Sequence, residues 1–271
     1  HIDGVIALQQ NKTQDAKTKF KDVLSRASQF EPSQYMLALI YFNEKRYQSA
    51  ATLLENHAAA NPTQLRSNLI YAGSLLELNQ VEKAMVVLNQ LKAAHPQDDR
   101  TLTLLGDGYM RQRQPDKAIE TLKKAAELKP EQATTRFQLG ATLLSNESTM
   151  AQGQQELIAA IELDPKLRKA ELILFRSYLG EKRFAEALEL ATKLEKKNPD
   201  DSQGANLVAF AHLAEDNKDK ALTKLNDTLI QFPYDIPTTH NLARIYLQDN
   251  DLVTAKKLYE ALLEKESSNL Q

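Results

Sequence analysis

Cysteine and tryptophan are both absent from the 271 residues of this chain. Without cysteine there is no disulfide, no thiolate zinc site and no cysteine nucleophile. Such a composition is compatible with an oxidising compartment. Charge of one sign is lacking as well: 34 Lys and Arg against 36 Asp and Glu leave a net charge of -2. The chain as a whole therefore lacks the positive field that drives nucleic-acid binding. No apolar run approaches the roughly 18 residues that suggest a membrane span, so no membrane insertion by this segment is expected. No signal-peptide pattern stands at the start, which is His1 and not Met. We expect a processed or excised chain, from which any targeting segment has been lost from view. Glycine and proline, at 8 and 9 residues, are too few for a disordered or collagen-like chain. The 42% hydrophobic and 26% charged residues suffice for a continuous core.

What the chain does have is a period. Pro62, Pro96, Pro130, Pro165, Pro199 and Pro233 are separated by 34, 34, 35, 34 and 34 residues, and Ser267 lies 34 beyond the last. That spacing is the length of a paired-helix unit. Twelve residues before each proline stand Ala50, Ala84, Ala118, Gly153, Ala187 and Ala221, where a close helix crossing needs a small side chain. Twenty-four before stand Ala38, Ala72, Gly106, Ala209 and Ala243, and Gly140 joins them once one extra residue is allowed in the turn near 145–152. Phe175 breaks this rule in its own unit. Three residues after this second small slot, Tyr41, Tyr109, Tyr178 and Tyr246 alternate with Leu75, Leu143 and His212 as large wedges.

These slots resemble the tetratricopeptide repeat. The stretch LLGDGYMRQRQPDKAIETLKKAAELKP, residues 104–130, is the best copy, with Leu105, Gly106, Tyr109, Ala118, Leu122, Ala125 and Pro130 in the family's signature slots. The family's common tryptophan is missing. The resemblance implies an all-α fold, a right-handed α-solenoid of stacked antiparallel helix pairs, as a single array over 1–271. Its repeats are placed at 31–64, 65–98, 99–132, 133–167, 168–201, 202–235 and 236–269, after a partial repeat at 1–30. The partial repeat suggests that the native protein continues N-terminally, since a solenoid end without a polar cap is a liability.

Motifs for catalysis or cofactors are not found. The Gly106-x-Gly108 pair would need a preceding strand and a third glycine to bind a dinucleotide, but Arg111 occupies that place. The five histidines, His1, His57, His95, His212 and His240, show no i,i+4 pairing, so no local metal site is expected. His212 replaces a wedge tyrosine and reads as a half-buried packing residue. The acidic doublets Asp98-Asp99 and Asp200-Asp201 precede first helices, where carboxylates accept backbone N–H bonds. We expect no enzyme and no cofactor.

A helical-pair array binds partners instead. In the resembled family the first helix of each pair lines the concave surface. The lining slots carry Arg66, Arg100, Arg111, Lys169, Arg176 and Arg244 against Glu77 and Asp107, interleaved with Tyr35, Phe137 and Phe210, and with Asn206 and His240 beside them. Guanidinium forks and aromatics in one groove suit an extended acidic protein segment. The family's chaperone-type carboxylate clamp of Lys and Asn is not matched, since Asn206, Asn241 and Arg244 lack lysines at the needed slots.

From about residue 133 onward the wording, including ALELATKLEKKNPDDSQGANLVAFAHLAEDNKDKAL and FPYDIPTTHNLARIYLQDNDLVTAKKLYEALLEK, is similar to the repeat-bearing lipoproteins of bacterial PEP-CTERM and exosortase systems. That resemblance implies a periplasmic scaffold tethered by a lipid anchor in the missing N-terminal part. The alternatives are a scaffold of an exopolysaccharide synthesis or secretion complex, and a cytoplasmic adaptor.

Overall fold

The computed structural model describes residues 1–268, and these contain sixteen α-helices and no strand. The end expected for the last repeat, at 269, lies outside the described residues. Two compact units divide after Lys166. The first holds five antiparallel pairs: α1 (Ile2–Gln9) with α2 (Thr13–Arg26), α3 (Glu31–Asn43) with α4 (Tyr47–Ala60), α5 (Leu65–Glu77) with α6 (Val81–Ala94), α7 (Asp99–Arg111) with α8 (Pro115–Leu128), and α9 (Ala133–Leu143) with α10 (Met150–Leu163). The second holds three: α11 (Arg168–Gly180) with α12 (Phe184–Lys197), α13 (Ser202–Ala214) with α14 (Lys218–Gln231), and α15 (Ile236–Gln248) with α16 (Leu252–Ser268).

Each pair crosses where its small residues lie. Ala38, Ala50, Ala72, Ala84, Ala118, Ala187, Ala221 and Ala243 are fully buried, and around them Leu54, Leu88, Leu105, Leu122 and Leu225 close the core. Gly106 is a packing residue, as its slot implies, because a Cβ there would run into the Leu122 side chain. Gly108 faces Met85 of the preceding pair in the same way. Between α9 and α10 the backbones themselves approach closely, and a Cβ on Gly140 would sit 2.8 Å from the Gly153 carbonyl oxygen. In the α11–α12 pair Phe175 takes the small slot and is itself buried.

The turn inside a pair is built by backbone geometry. Seven of them place a non-glycine residue in the left-handed region: Asn11, Lys45, Asn79, Arg113, Lys182, Asp216 and Asn250, with φ between 58° and 61°. In each, the next residue's N–H donates back across the turn, as Arg46 does to the Tyr41 carbonyl at 2.8 Å and Gln114 to Tyr109 at 2.9 Å. This is the Schellman closure, which satisfies carbonyls that a helix end leaves open. The α9–α10 turn is different. It carries the extra residue, has no left-handed residue, and closes through a short 3-10 turn at Glu147–Thr149. There the Thr149 hydroxyl donates to the Leu143 carbonyl at 2.6 Å.

Candidate partner-binding surface

Within the first unit, α3, α5, α7 and α9 pack each against the next, so their outer faces make one continuous surface. In the second unit α13 and α15 do the same. A recurrent hydroxyl ties these first helices together. Ser67 donates to Glu31 at 2.6 Å, Thr103 bonds Thr135 at 2.9 Å, and Thr238 accepts from Asn206 at 2.7 Å. Ser33, Ser67, Thr101, Thr135 and Thr238 occupy the same offset, five residues before the small slot, and all are fully buried. Sequence reasoning passed over this slot although its recurrence is visible in the chain. A small hydroxyl at one offset in five pairs is itself a periodic signal.

In the first unit the basic side chains are largely used by the fold. Arg100 donates to Asp98 at 2.8 Å, and Asp98 also accepts from the N–H and hydroxyl of Thr101, both at 2.9 Å. Burial opposes the charge of Asp98, yet the Arg100 and Thr101 hydrogen bonds outweigh it and hold the carboxyl below its ordinary range. Arg111 is bound on three sides: Asp107 at 3.1 Å, Glu77 at 3.3 Å and the Leu76 carbonyl at 2.7 Å. It therefore joins α7 to α5. Arg66 is exposed and makes no ion pair among the described residues. Tyr35 and Phe137 are half-buried, and Phe137 and Asp107 line a recess of about 170 Å³ with Gly106, Met110, Leu122 and Ala141.

The second unit differs. Lys169, Arg176 and Arg244 are exposed and have no carboxylate partner among the described residues. Arg244 lies over the half-buried ring of Phe210, 5.1 Å from its centroid. His240 is exposed, and its Nδ1 pairs with the Tyr259 hydroxyl at 2.9 Å. Asn206 departs from the expectation. It is 6% exposed, with its amide donating to the Ser202 carbonyl and to Thr238, and its carbonyl accepting from Asn241 at 2.8 Å. Its short side chain follows a helix turn inward, so it joins α13 to α15 and does not face a partner. Thr238 and Tyr259 were not singled out by the sequence, and Asn241 entered it only through the unmatched carboxylate clamp.

The acidic doublets are helix caps. Asp98 caps α7 through Thr101, and Asp201 caps α13 by accepting from the Gln203 N–H at 2.9 Å. The Gln203 backbone bond, against some burial and with help from Arg168, also lowers the Asp201 carboxyl. His212 is half-buried, its Nδ1 3.8 Å from the Glu215 carboxylate. Among the described residues no cluster of three or more His, Asp or Glu is arranged to hold a metal ion, and no helix is long and apolar enough to cross a membrane.

Three family models match: tetratricopeptide repeat over residues 99–132, tetratricopeptide repeat again over 174–236, and anaphase-promoting complex, cyclosome, subunit 3 over 9–91. The chain carries tetratricopeptide repeats. Among solved structures, a tetratricopeptide repeat protein from Parabacteroides merdae superposes with a TM-score of 0.63 at 14% identity, covering 96% of each chain. The thermophilic repeat protein TTC0263 of Thermus thermophilus gives 0.56 at 23% identity, over 68% of this chain and 99% of that one. YrrB, described as a repeat protein with an unusual peptide-binding site, gives 0.52 at 17% identity, over 69% and 96%. In sequence, human protein O-mannosyl-transferase TMTC1 is 26% identical over 137 residues, which is 49% of this chain and 16% of that protein's length. The chain thus matches only a small part of TMTC1. The matched repeats and the solved structures support the all-helical solenoid fold.

Proposed function

We propose that this chain is a non-enzymatic scaffold that holds an extended acidic protein segment along the first helices of its tetratricopeptide repeats. The observation that carries this reading is the set of exposed cations in the second unit, Lys169, Arg176 and Arg244, which no carboxylate neutralises among the described residues. A cation left unpaired on a helix face is available to a partner's carboxylate, and charge-assisted bonds of this kind are the strong ones. YrrB supports the general mode, since a peptide-binding site occurs on a similar fold. To test it, a random ten-residue peptide library is panned on the full chain. Enrichment of Asp and Glu is expected, with binding that weakens as salt rises. Peptides without acidic residues, bound equally at low and high salt, would overturn the reading.

For the cellular setting we propose that of the repeat-bearing lipoproteins of PEP-CTERM and exosortase systems, which the wording from about residue 133 onward resembles. In that setting the protein is a periplasmic scaffold on a lipid anchor. A scaffold for exopolysaccharide synthesis or secretion, or a cytoplasmic adaptor, would use the same surface. The coding sequence upstream of His1 decides among them: a signal peptide ending at a cysteine supports the lipoprotein, and a plain methionine start supports the adaptor.

A further inference from the structure

Arg244 is the one expected groove arginine that the fold holds through an aromatic ring. Arg100 and Arg111 are held by carboxylates, and a guanidinium so paired has little left to offer a second anion. The Phe210 ring engages the guanidinium through its π-face. A guanidinium stacked in this way keeps its N–H edge for hydrogen bonding and presents two parallel donors to a planar acceptor.

In the support beneath the stack Asn206 and Thr238 are buried and Asn241 is half-buried. Asn206 lies four residues before Phe210 on α13, and Asn241 three before Arg244 on α15. Asn241 donates to Asn206 at 2.8 Å, and Asn206 donates to Thr238 at 2.7 Å. One turn from the stack, then, α13 and α15 are pinned by hydrogen bonds, which fixes the spacing between ring and guanidinium before any partner arrives. Preorganisation of this kind reduces the ordering cost of binding.

We propose that Phe210 and Arg244 form a carboxylate-reading site, in which the ring positions the guanidinium and its free edge takes both oxygens of one Asp or Glu side chain of the bound segment. This deepens the acidic-segment reading and rests on it. Asn206 acts as a positioning residue for the pair.

The probe is the tightest peptide from the ten-residue panning, measured by fluorescence anisotropy on the full chain. Arg244→Lys keeps the charge but loses the fork and should weaken binding roughly tenfold. Phe210→Leu removes no charge and should still weaken it about threefold to fivefold. Arg176→Lys, which also keeps the charge, should weaken binding less than Arg244→Lys does. Replacing the peptide's acidic residues one at a time with their amides should identify one position at which the Arg244→Lys penalty disappears, the signature of a direct pair. The peptide half of this cycle is measured on the parent protein and is independent of variant folding, and Arg244→Lys is first matched to the parent by circular dichroism.

If Arg244→Lys and Phe210→Leu bind like the parent while Arg176→Glu with Arg244→Glu does not, the fork is overturned and a diffuse cationic surface remains. If the double reversal also binds like the parent, the acidic-segment reading falls with it.

Discussion

The two units carry arginines at related repeat slots and use them in opposite ways. In the first, Arg111 bridges α7 to α5 through Asp107, Glu77 and the Leu76 carbonyl, and Arg100 closes on the Asp98 cap. In the second, Arg176 and Arg244 are exposed with no carboxylate partner among the described residues, Arg244 resting on Phe210. The slot one residue after the small residue is Leu39, Gly73, Asp107 and Ala141 in the first unit, and Arg176, Phe210 and Arg244 in the second. One repeat pattern has thus produced a face on which Arg100 and Arg111 are neutralised and Arg66 alone of the lining arginines has no ion pair, and a face on which Lys169, Arg176 and Arg244 all lack one among the described residues. A count of charges along lining slots cannot separate them, because it does not record where each guanidinium's partner lies.

The largest expected effect breaks the comparison directly. Arg176→Glu with Arg244→Glu should weaken the panned acidic peptide by more than tenfold, since hydrogen bonds to charged groups contribute about 1.5–3 kcal/mol each. Melting should be nearly unchanged. The matched pair in the first unit, Arg100→Glu with Arg111→Glu, should behave in reverse. It places new carboxylates beside Asp98, Asp107 and Glu77, and should cost about 2–3 kcal/mol of stability with a smaller loss of peptide binding. Equal effects from the two pairs would show that the distinction between the faces is not functional.

Next in size is the buried polar link of the second unit. Asn206→Leu removes the bonds to Thr238 and Asn241 and leaves buried groups unsatisfied, which should cost about 1–3 kcal/mol in chemical denaturation. Asn241→Ala, at a half-buried site, should cost less.

The caps give a third contrast. Asp98→Ala and Asp201→Ala should each lose about 1 kcal/mol. Both carboxyls lie below their ordinary range in the folded chain, so each contributes stability that is fully present above an unfolded pKa of about 3.9 and is lost as pH falls through the lower folded value. A melting series from pH 7 to pH 2 should show that loss confined to the acid end and reduced in both alanine variants.

The smallest effect is one on which the units should agree. Arg113→Gly in the first and Lys182→Gly in the second relieve a left-handed backbone at φ 59°, and each should raise stability by about 0.5–1 kcal/mol. Opposite signs would mean that one side chain contributes more than its backbone strain costs.

Much of the fold was legible because the small slots answer to a hard steric condition. Two helices cross closely only where side chains are minimal, so Ala38, Ala72, Gly106, Ala118 and Ala187 announce the crossings by residue type alone. The prolines mark where a helix cannot continue. Phe175 shows the limit, since its ring is accommodated at a crossing that the periodic pattern would have left for a small residue. The site was legible only in part. Lining positions on a first helix follow from its periodicity, but whether Arg111 faces a ligand or the Leu76 carbonyl depends on the neighbouring helix 34 residues earlier. Asn206 was assigned to the groove because its slot borders the buried stripe, and hydrogen bonding to Thr238 drew it inward. The hydroxyl slot was missed for a different reason: Ser and Thr are unremarkable in any one helix, and only their recurrence and burial reveal the link.

The turn between α9 and α10 has a practical consequence. Every other hairpin is locked by a residue that must stay left-handed, so lengthening it would break a specific closure. Here one extra residue has already been absorbed, and Ser145, Asn146, Glu147 and Ser148 are exposed. A protease specific for glutamate should therefore make its first cut after Glu147, and a fluorescent reporter or affinity tag spliced between Asn146 and Glu147 should leave both flanking helices folded. The chain thus has a built-in insertion port in its first unit, through which the protein can be followed without altering the second-unit cations proposed to bind.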